Sequence, residues 1–341
     1  LFGLMLLLGA FQIKKAFVPL EILRSPLLWC ITIYMLWMLL SALTSSHPIV
    51  SFKFILARLW FIIPIFYFGT YFFQKKSNRI LFLWLFIIAT VIVIIYTLIH
   101  HSFYGFGEKE GHWVMSPFFK DHTIYGAIVA LILPLAVGLY LYKKHDPLIQ
   151  LTLISLILII VVGLVLSYTR AAWLSVLGSI GIAFILYYKI SWKPIAALAG
   201  VALVLVLIRW DQIQMELERN KYEHTTESFD ERLQSAANIS TDASNLERIN
   251  RWSCAIAMFK ERPIMGFGPG TYAFEYAPFQ RPENLTIIST NFGDMGNAHS
   301  EYLGALAETG FIGMLSFIAV VAAIFYTGIT LYHRLPKENK D

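Results

Sequence analysis

Ile80-Leu-Phe-Leu-Trp84-Leu-Phe-Ile-Ile-Ala-Thr90-Val-Ile-Val-Ile-Ile-Tyr96-Thr-Leu-Ile99 contains no charged residue and few polar ones. A run of about 20 such residues, coiled as an α-helix, matches the roughly 30 Å hydrocarbon layer of a bilayer. Its Ile, Val and Phe would also suit a strand in water. In lipid, only helices and closed barrels satisfy their own backbone, and barrel strands are about 10 residues long with alternating polarity. This run has neither property, so it predicts a membrane-spanning helix.

Working outward, comparable runs cover residues 1–11 (a partial span), 26–43, 55–73, 123–142, 148–168, 171–188, 194–208 and 311–332. The expected fold class is an all-α polytopic membrane protein. Residues 1–11 lack a basic leader and a small-residue cleavage site, and read as the end of a truncated helix rather than a signal peptide. Composition agrees: 57% of the chain is hydrophobic and 14% charged, against about 25% charged in a soluble domain. Cys30 and Cys254 offer no redox framework or thiolate metal site. No histidine–carboxylate or His-x-x-x-His spacing suggests a metal either, so neither metal nor cofactor is expected.

Basic residues sort by side. If each run crosses once, 13 of the 27 fall in connections on one face, among them Lys75, Lys76, Arg79, Lys143, Lys144, Lys189 and Arg334. The alternate connections hold only Lys53, Lys109, Lys120 and Arg170. The positive-inside rule then puts the C-terminus in the cytoplasm and the long polar segment 210–308 outside, periplasmic in a bacterium. The expected organisation is helices with an outer loop at 100–122 over residues 1–209, a polar outer segment over 210–308, and a final span with a cytoplasmic tail over 309–341. The net charge of +5 does not point to nucleic acid, because residues 211–308 carry 15 acidic residues against 8 basic ones. Few charges fall within the spans, which argues against a lipid-linked sugar transporter.

Several polar residues stand out against this background. Arg170 lies between two spans with almost no loop; an ionised Arg at membrane depth costs about 2.5–3.5 kcal/mol, so it either snorkels to headgroups or meets an anion such as a lipid phosphate. Asp121-His122 opens the next span, as a helix cap or a substrate contact, and Glu108-Lys-Glu110 is a solvated cluster or a divalent-ion site. Within the polar segment, residues 211–236 suggest amphipathic surface helices near the membrane. Ser244 followed by Glu247 suggests a capping box, starting a helix that runs to about Arg262 and stops at Pro263. Arg248 and Arg251 stand on its border, either pairing with Glu247 or contacting substrate. His299 precedes a helical stretch at 300–309, whose N-terminus favours a neutral ring, as a general base requires; the other reading is a plain hydrogen-bonding histidine.

Three ordered pieces then carry a family resemblance: Ser167-x-x-Arg170-x-x-Trp173; Arg248-x-x-x-Trp252 followed by Pro263-Ile-Met-Gly266-Phe-Gly268 and Phe274; and His299-Ser-Glu-Tyr302-Leu303 followed by Glu308-Thr-Gly310-Phe-Ile-Gly313. Over roughly residues 124–327 the chain resembles the O-antigen ligase family, which includes lipopolysaccharide ligases, Wzy-type polysaccharide polymerases and some O-linking oligosaccharyltransferases. The resemblance implies a GT-C-like glycosyltransferase of the bacterial inner membrane that works without metal or nucleotide. It implies a glycan donor on undecaprenyl diphosphate, a sugar hydroxyl of lipid A–core as acceptor, and membrane lipids as further partners. Carried over by position, Arg170 and Arg248 would neutralise the diphosphate and His299 would activate the acceptor. Arg251, Asp121, His122 and Tyr302 are expected as auxiliary substrate contacts. The family often has Asn after the histidine, where this chain has Ser300. A Wzy-type polymerase, an O-linking oligosaccharyltransferase and a transporter are the alternatives.

Overall fold

The computed structural model describes residues 24–142, 145–209, 243–282, 285, 289 and 296–334. The partial span 1–11, the amphipathic stretch 211–236, Lys143, Lys144 and the tail beyond Arg334 lie outside the described residues. Nine principal helices are described: α1 Pro26–Leu43, α2 Pro48–Phe61, α3 Lys76–Ser102, α4 His122–Leu141, α5 Pro147–Val165, α6 Arg170–Tyr187, α7 Trp192–Ile208, α8 Ala243–Glu261 and α9 Glu301–Arg334. Among the described residues there is no strand, and seven helices are long and apolar enough to cross a membrane. The chain is an all-α polytopic membrane protein.

The helix expected over 55–73 begins earlier, at Pro48, where proline suits a first turn because its missing N–H would be unpaired there anyway. Past Phe61 it widens into a π-helix, Ile62–Phe68, and closes with Gly69–Phe72. Pro64 lies inside that π segment. A proline removes a donor and clashes with the preceding turn, and a locally wider coil accommodates both effects.

Packing divides the chain into two compact units. One contains residues 75–209, where α4 packs against α5 and α6, and α3 packs against α5. Its core is apolar, with Ile87, Ile94, Val129, Ile132 and Ile160 fully buried. Gly163 permits the close approach of α5 to α3: a Cβ there would come within 2.6 Å of Ile94. The outward faces are equally apolar, with Leu148 76% and Leu158 60% exposed. Leaving one such side chain in water forgoes about 1.5–3 kcal/mol, so these faces suit lipid.

The other unit holds residues 24–74 and the described residues from 243 onward, with α9 packed against α1 and α8. α9 is two helices joined at Gly310, whose φ of 70° and ψ of −172° leave the helical region. The sequence expectation of a short helix over 300–309 followed by a separate span describes this break. Three successive carbonyls there take donors from outside α9: Ala307 from Phe267 N–H (3.1 Å), Glu308 from Gly268 N–H (2.7 Å) and Thr309 from the Trp37 indole (2.8 Å). The Phe311 N–H in turn reaches the Pro263 carbonyl at 2.9 Å. A Cβ at Gly310 would sit 2.0 Å from the Ile264 oxygen, and one at Gly266 would sit 2.4 Å from the Glu308 carbonyl. The turn after α8 and the break in α9 are therefore a matched pair, each requiring glycine where the backbones touch.

Candidate active site

The segment leading into α9 is built on a buried arginine. On α8, Arg251 is 5% exposed and donates through Nε to Glu247 Oε1 at 2.7 Å. Its Nη1 donates to the Asn297 carbonyl at 3.3 Å, and its guanidinium lies 5.3 Å from the centre of the Tyr276 ring. Tyr272 donates its hydroxyl to the Arg251 carbonyl, and Ser289 donates to the other Glu247 oxygen. A Cβ at Gly296 would land 1.9 Å from Arg251 Nη1, so residue 296 is glycine because the guanidinium occupies that space. Breaking a buried pair such as Arg251–Glu247 by removing one partner costs about 3–5 kcal/mol.

The capping-box expectation rests on Ser244, whose side chain lies outside the described residues. α8 is described from Ala243. The Glu247 carboxylate reaches forward one turn to Arg251. Pairing with Glu247 is thus where the structure places Arg251, while Arg248 stays exposed on the same helix.

His299 sits at the end of this scaffold. Its φ is 47°, in the left-handed region, and its N–H is held by Asn297 Oδ1 at 3.0 Å. Such strain at a non-glycine residue costs on the order of 1–3 kcal/mol and persists only where surroundings impose it. Ser300 then caps α9, its hydroxyl accepting the Leu303 N–H at 3.2 Å. Burial is the main cause that lowers the His299 pKa below its ordinary 6.5, followed by the positive charges of Arg251 and Arg248. The ring is therefore neutral at pH 7, as expected from sequence, but burial and two guanidinium groups hold it so.

His299 lines a cavity of about 400 Å³ together with Tyr34 and Met38 of α1, Phe54 and Arg58 of α2, Tyr272, and Glu301 and Glu308 of α9. That volume falls within the 300–1,000 Å³ typical of small-molecule sites. Glu308 closes one side. Its Oε2 accepts the Gly270 N–H (2.8 Å) and its Oε1 the Tyr272 N–H (3.1 Å), docking the Gly266-Phe-Gly268-Pro-Gly270 turn onto α9. Arg58 brings a positive charge, 3.7 Å from Glu301 and 4.9 Å from the Phe54 ring centre. At 3.7 Å the ion pair is too long for a good hydrogen bond.

Sequence reasoning passed over Arg58 and Tyr34, and gave Glu301 no role beyond its place in the His299-Ser-Glu-Tyr302 motif. The signal for Arg58 was available: it is an ionisable residue inside an apolar run, the same criterion that singled out Arg170. Of the expected contacts in this unit, only His299 lines the cavity. Tyr302 packs its ring 5.5 Å from that of Phe317 and does not line it.

Arg170, Asp121 and His122 belong to the other unit. Arg170 is the first residue of α6, half-buried, after a turn in which Ser167 Oγ and Trp173 Nε1 both donate to the Leu164 carbonyl at 2.7 and 2.8 Å. A cation at a helix N-terminus is disfavoured by the helix dipole, and an anion alongside offsets that. Asp121 caps α4 through Oδ1, which accepts from the Thr123 and Ile124 N–H groups at 2.9 and 3.1 Å. The hydrogen bond from the Thr123 hydroxyl is the leading reason that its carboxyl titrates below the usual range. His122 stacks on His112, ring centres 4.1 Å apart. Among the described residues, no group of three or more His, Cys, Asp or Glu side chains gathers as a metal site.

No curated protein and no solved structure matches the chain. Residues 154–318 match the family model described as O-Antigen ligase, a span that contains Arg170, all of α8, His299, Glu308 and Gly310. The chain thus carries, over residues 154–318, a domain of the O-antigen ligase family.

Proposed function

We propose that the protein transfers a glycan from undecaprenyl diphosphate to a sugar hydroxyl of lipid A–core. Family membership supports the coarser statement, a glycan transfer of the ligase or polymerase type involving lipid-linked glycan. The observation that carries the finer reading is the neutral His299 ring, imposed in a strained backbone on the wall of a cavity that also holds a cationic side chain. A sugar hydroxyl is a poor nucleophile. An imidazole within about 3 Å takes its proton as the oxygen attacks the anomeric carbon. The bond from that carbon to the diphosphate breaks in the same displacement, which inverts the centre. Negative charge grows on the departing diphosphate, and guanidinium groups stabilise it more in the transition state than before.

We assign Arg170 and Arg248 to the diphosphate and add Arg58, which shares a cavity with the base. Arg251 becomes a positioning residue, because its guanidinium is already committed to Glu247 and Asn297. Asp121, His122 and Tyr302 remain contacts assigned to the bound glycan. The sidedness of Lys75, Lys76, Arg79 and Arg334 supports placing the cavity at the periplasmic face of the inner membrane.

The test uses purified protein given lipid-linked glycan with either lipid A–core or a second lipid-linked repeat. Glycan appearing on core lipid, and lost by about 10²- to 10⁴-fold in His299→Ala, is the expected result. Product built only on the lipid-linked repeat would make the protein a polymerase. Normal attachment by His299→Ala or Arg170→Ala in a null strain would remove that residue from the mechanism.

A further inference from the structure

A second cavity, of about 260 Å³, lies in the unit formed by residues 75–209, where α3 begins, α4 ends and α5 begins. Its walls are Ile80 and Trp84 of α3, Leu139 at the end of α4, and Ile149 in the first turn of α5. Two polar groups meet there. The Lys76 ammonium is held 5.0 Å from the centre of the Tyr142 ring, and both residues line the cavity. His145 is buried, with Nε2 2.9 Å from the Leu139 carbonyl. A carbonyl only accepts, so Nε2 carries the hydrogen and Nδ1 is the polar atom left for a ligand. None of these residues takes part in the proposed transfer chemistry.

From this arrangement we propose that the Lys76–Tyr142–His145 cavity binds the phosphate headgroup of an anionic phospholipid. The helices around it expose Leu81, Leu148 and Leu151 at 53%, 76% and 62%, a surface that a bilayer covers, so lipid is the molecule at hand. The chemistry of the cavity divides as a phospholipid does: a cation for the phosphate, an imidazole Nδ1 that accepts from a headgroup hydroxyl, and Ile80, Trp84 and Ile149 for the first methylenes of the glycerol and acyl chains. The N-termini of α3 and α5 add partial positive charge at this end, and the α4 C-terminus, whose Leu139 carbonyl takes the His145 hydrogen, adds the opposing partial negative charge. Asp146, the exposed residue before α5, is the nearest opposing charge in sequence and does not line the cavity. At 260 Å³ the space is smaller than the roughly 300–1,000 Å³ of a drug-sized site, which fits a headgroup better than a whole lipid.

The experiment reconstitutes the full chain into nanodiscs of equal parts phosphatidylglycerol and phosphatidylcholine, then counts retained lipids by native mass spectrometry. The wild type retains phosphatidylglycerol preferentially, and Lys76→Gln lowers that preference roughly fivefold, the factor expected for one lysine at an anionic surface. Lys75→Gln, at the neighbouring position that is also exposed but does not line the cavity, leaves the preference intact. Ile149→Trp fills the cavity with every charge in place and also lowers retention, so it decides the matter should Lys76→Gln not accumulate. Equal retention of the two lipids by the wild type overturns the proposal. So does an equal loss in Lys75→Gln, which would mean diffuse surface charge, or displacement of the lipid by inorganic phosphate, which would mean a site for the free anion. Glycan transfer by Ile149→Trp is expected to be unchanged, which keeps this result separate from the fate of the proposed reaction.

Discussion

The break in α9 at Gly310 and the turn that joins α5 to α6 at Ser167–Arg170 both interrupt a helix and leave carbonyls to be satisfied, but their partners lie at different distances along the chain. In the α5–α6 turn the partners are mostly local: Ser167 and Trp173 serve Leu164, and Ser167 Oγ accepts the Thr169 N–H at 3.3 Å. At Gly310 they come from three places, namely Trp37 and Ser41 on α1, Phe267 and Gly268 after α8, and α9 itself. A local arrangement presents Arg170, the residue proposed to meet the diphosphate, from a scaffold that a short motif specifies. The distributed one encloses a cavity, because only segments far apart in sequence can form its separate walls.

Substitutions can sharpen this contrast. The largest effect is expected at the distributed break. Gly310→Ala forces a side chain into a left-handed residue and against the Ile264 carbonyl, so it should cost more than about 3 kcal/mol and prevent the protein from accumulating folded. Thermal unfolding in detergent measures this, and a Tm near wild type would show that the break is less tightly specified than the contacts imply.

A smaller effect lies at the cavity and is read by pH. Because burial and nearby guanidinium charge hold the His299 pKa below 6.5, its neutral form persists at neutral pH, and transfer should decline only as pH falls through that lowered value. Arg248→Gln removes one positive charge that disfavours the imidazolium. The His299 pKa then rises and the acid limb of the rate profile moves to higher pH. A limb that stays in place would detach Arg248 from the electrostatics of the base.

The smallest effect belongs to the local turn. Trp173→Phe deletes one of the two side-chain donors to the Leu164 carbonyl and leaves Ser167 in place, a loss of about 1 kcal/mol visible as a modest fall in Tm. A collapse comparable to that of Gly310→Ala would erase the distinction between the two interruptions.

The same distinction governs what could be read from the sequence. Apolar runs located seven helices long and apolar enough to cross a membrane, one of them starting earlier than expected, at Pro48, because burial in lipid is a property of each segment alone. The break at Gly310 was visible for a related reason, since a polar stretch met an apolar one there. The roles of Ser41 and Trp37 were hidden, because a hydroxyl or indole in a span gains meaning only from a carbonyl more than 200 residues away. Glu247 is ambiguous for a local reason. Its position three residues after Ser244 suits a capping box, and its bond to the buried Arg251 is a contact that only the folded chain reveals. Ser300 illustrates the reverse. Its replacement of the Asn common in the family matters little to the backbone, since either residue caps a helix and this one does.

The interlock of the Pro263–Gly270 turn with the Gly310 break, braced by α1, sets a rule for building chimeras. Exchanging the polar segment with that of a homologue while retaining the native first and last spans would pair unmatched surfaces, and such a hybrid should misassemble even if every transplanted residue were individually compatible. A graft that carries residues 37–46, 263–270 and 305–311 together keeps the three segments of that joint matched, so that they transfer as a single block.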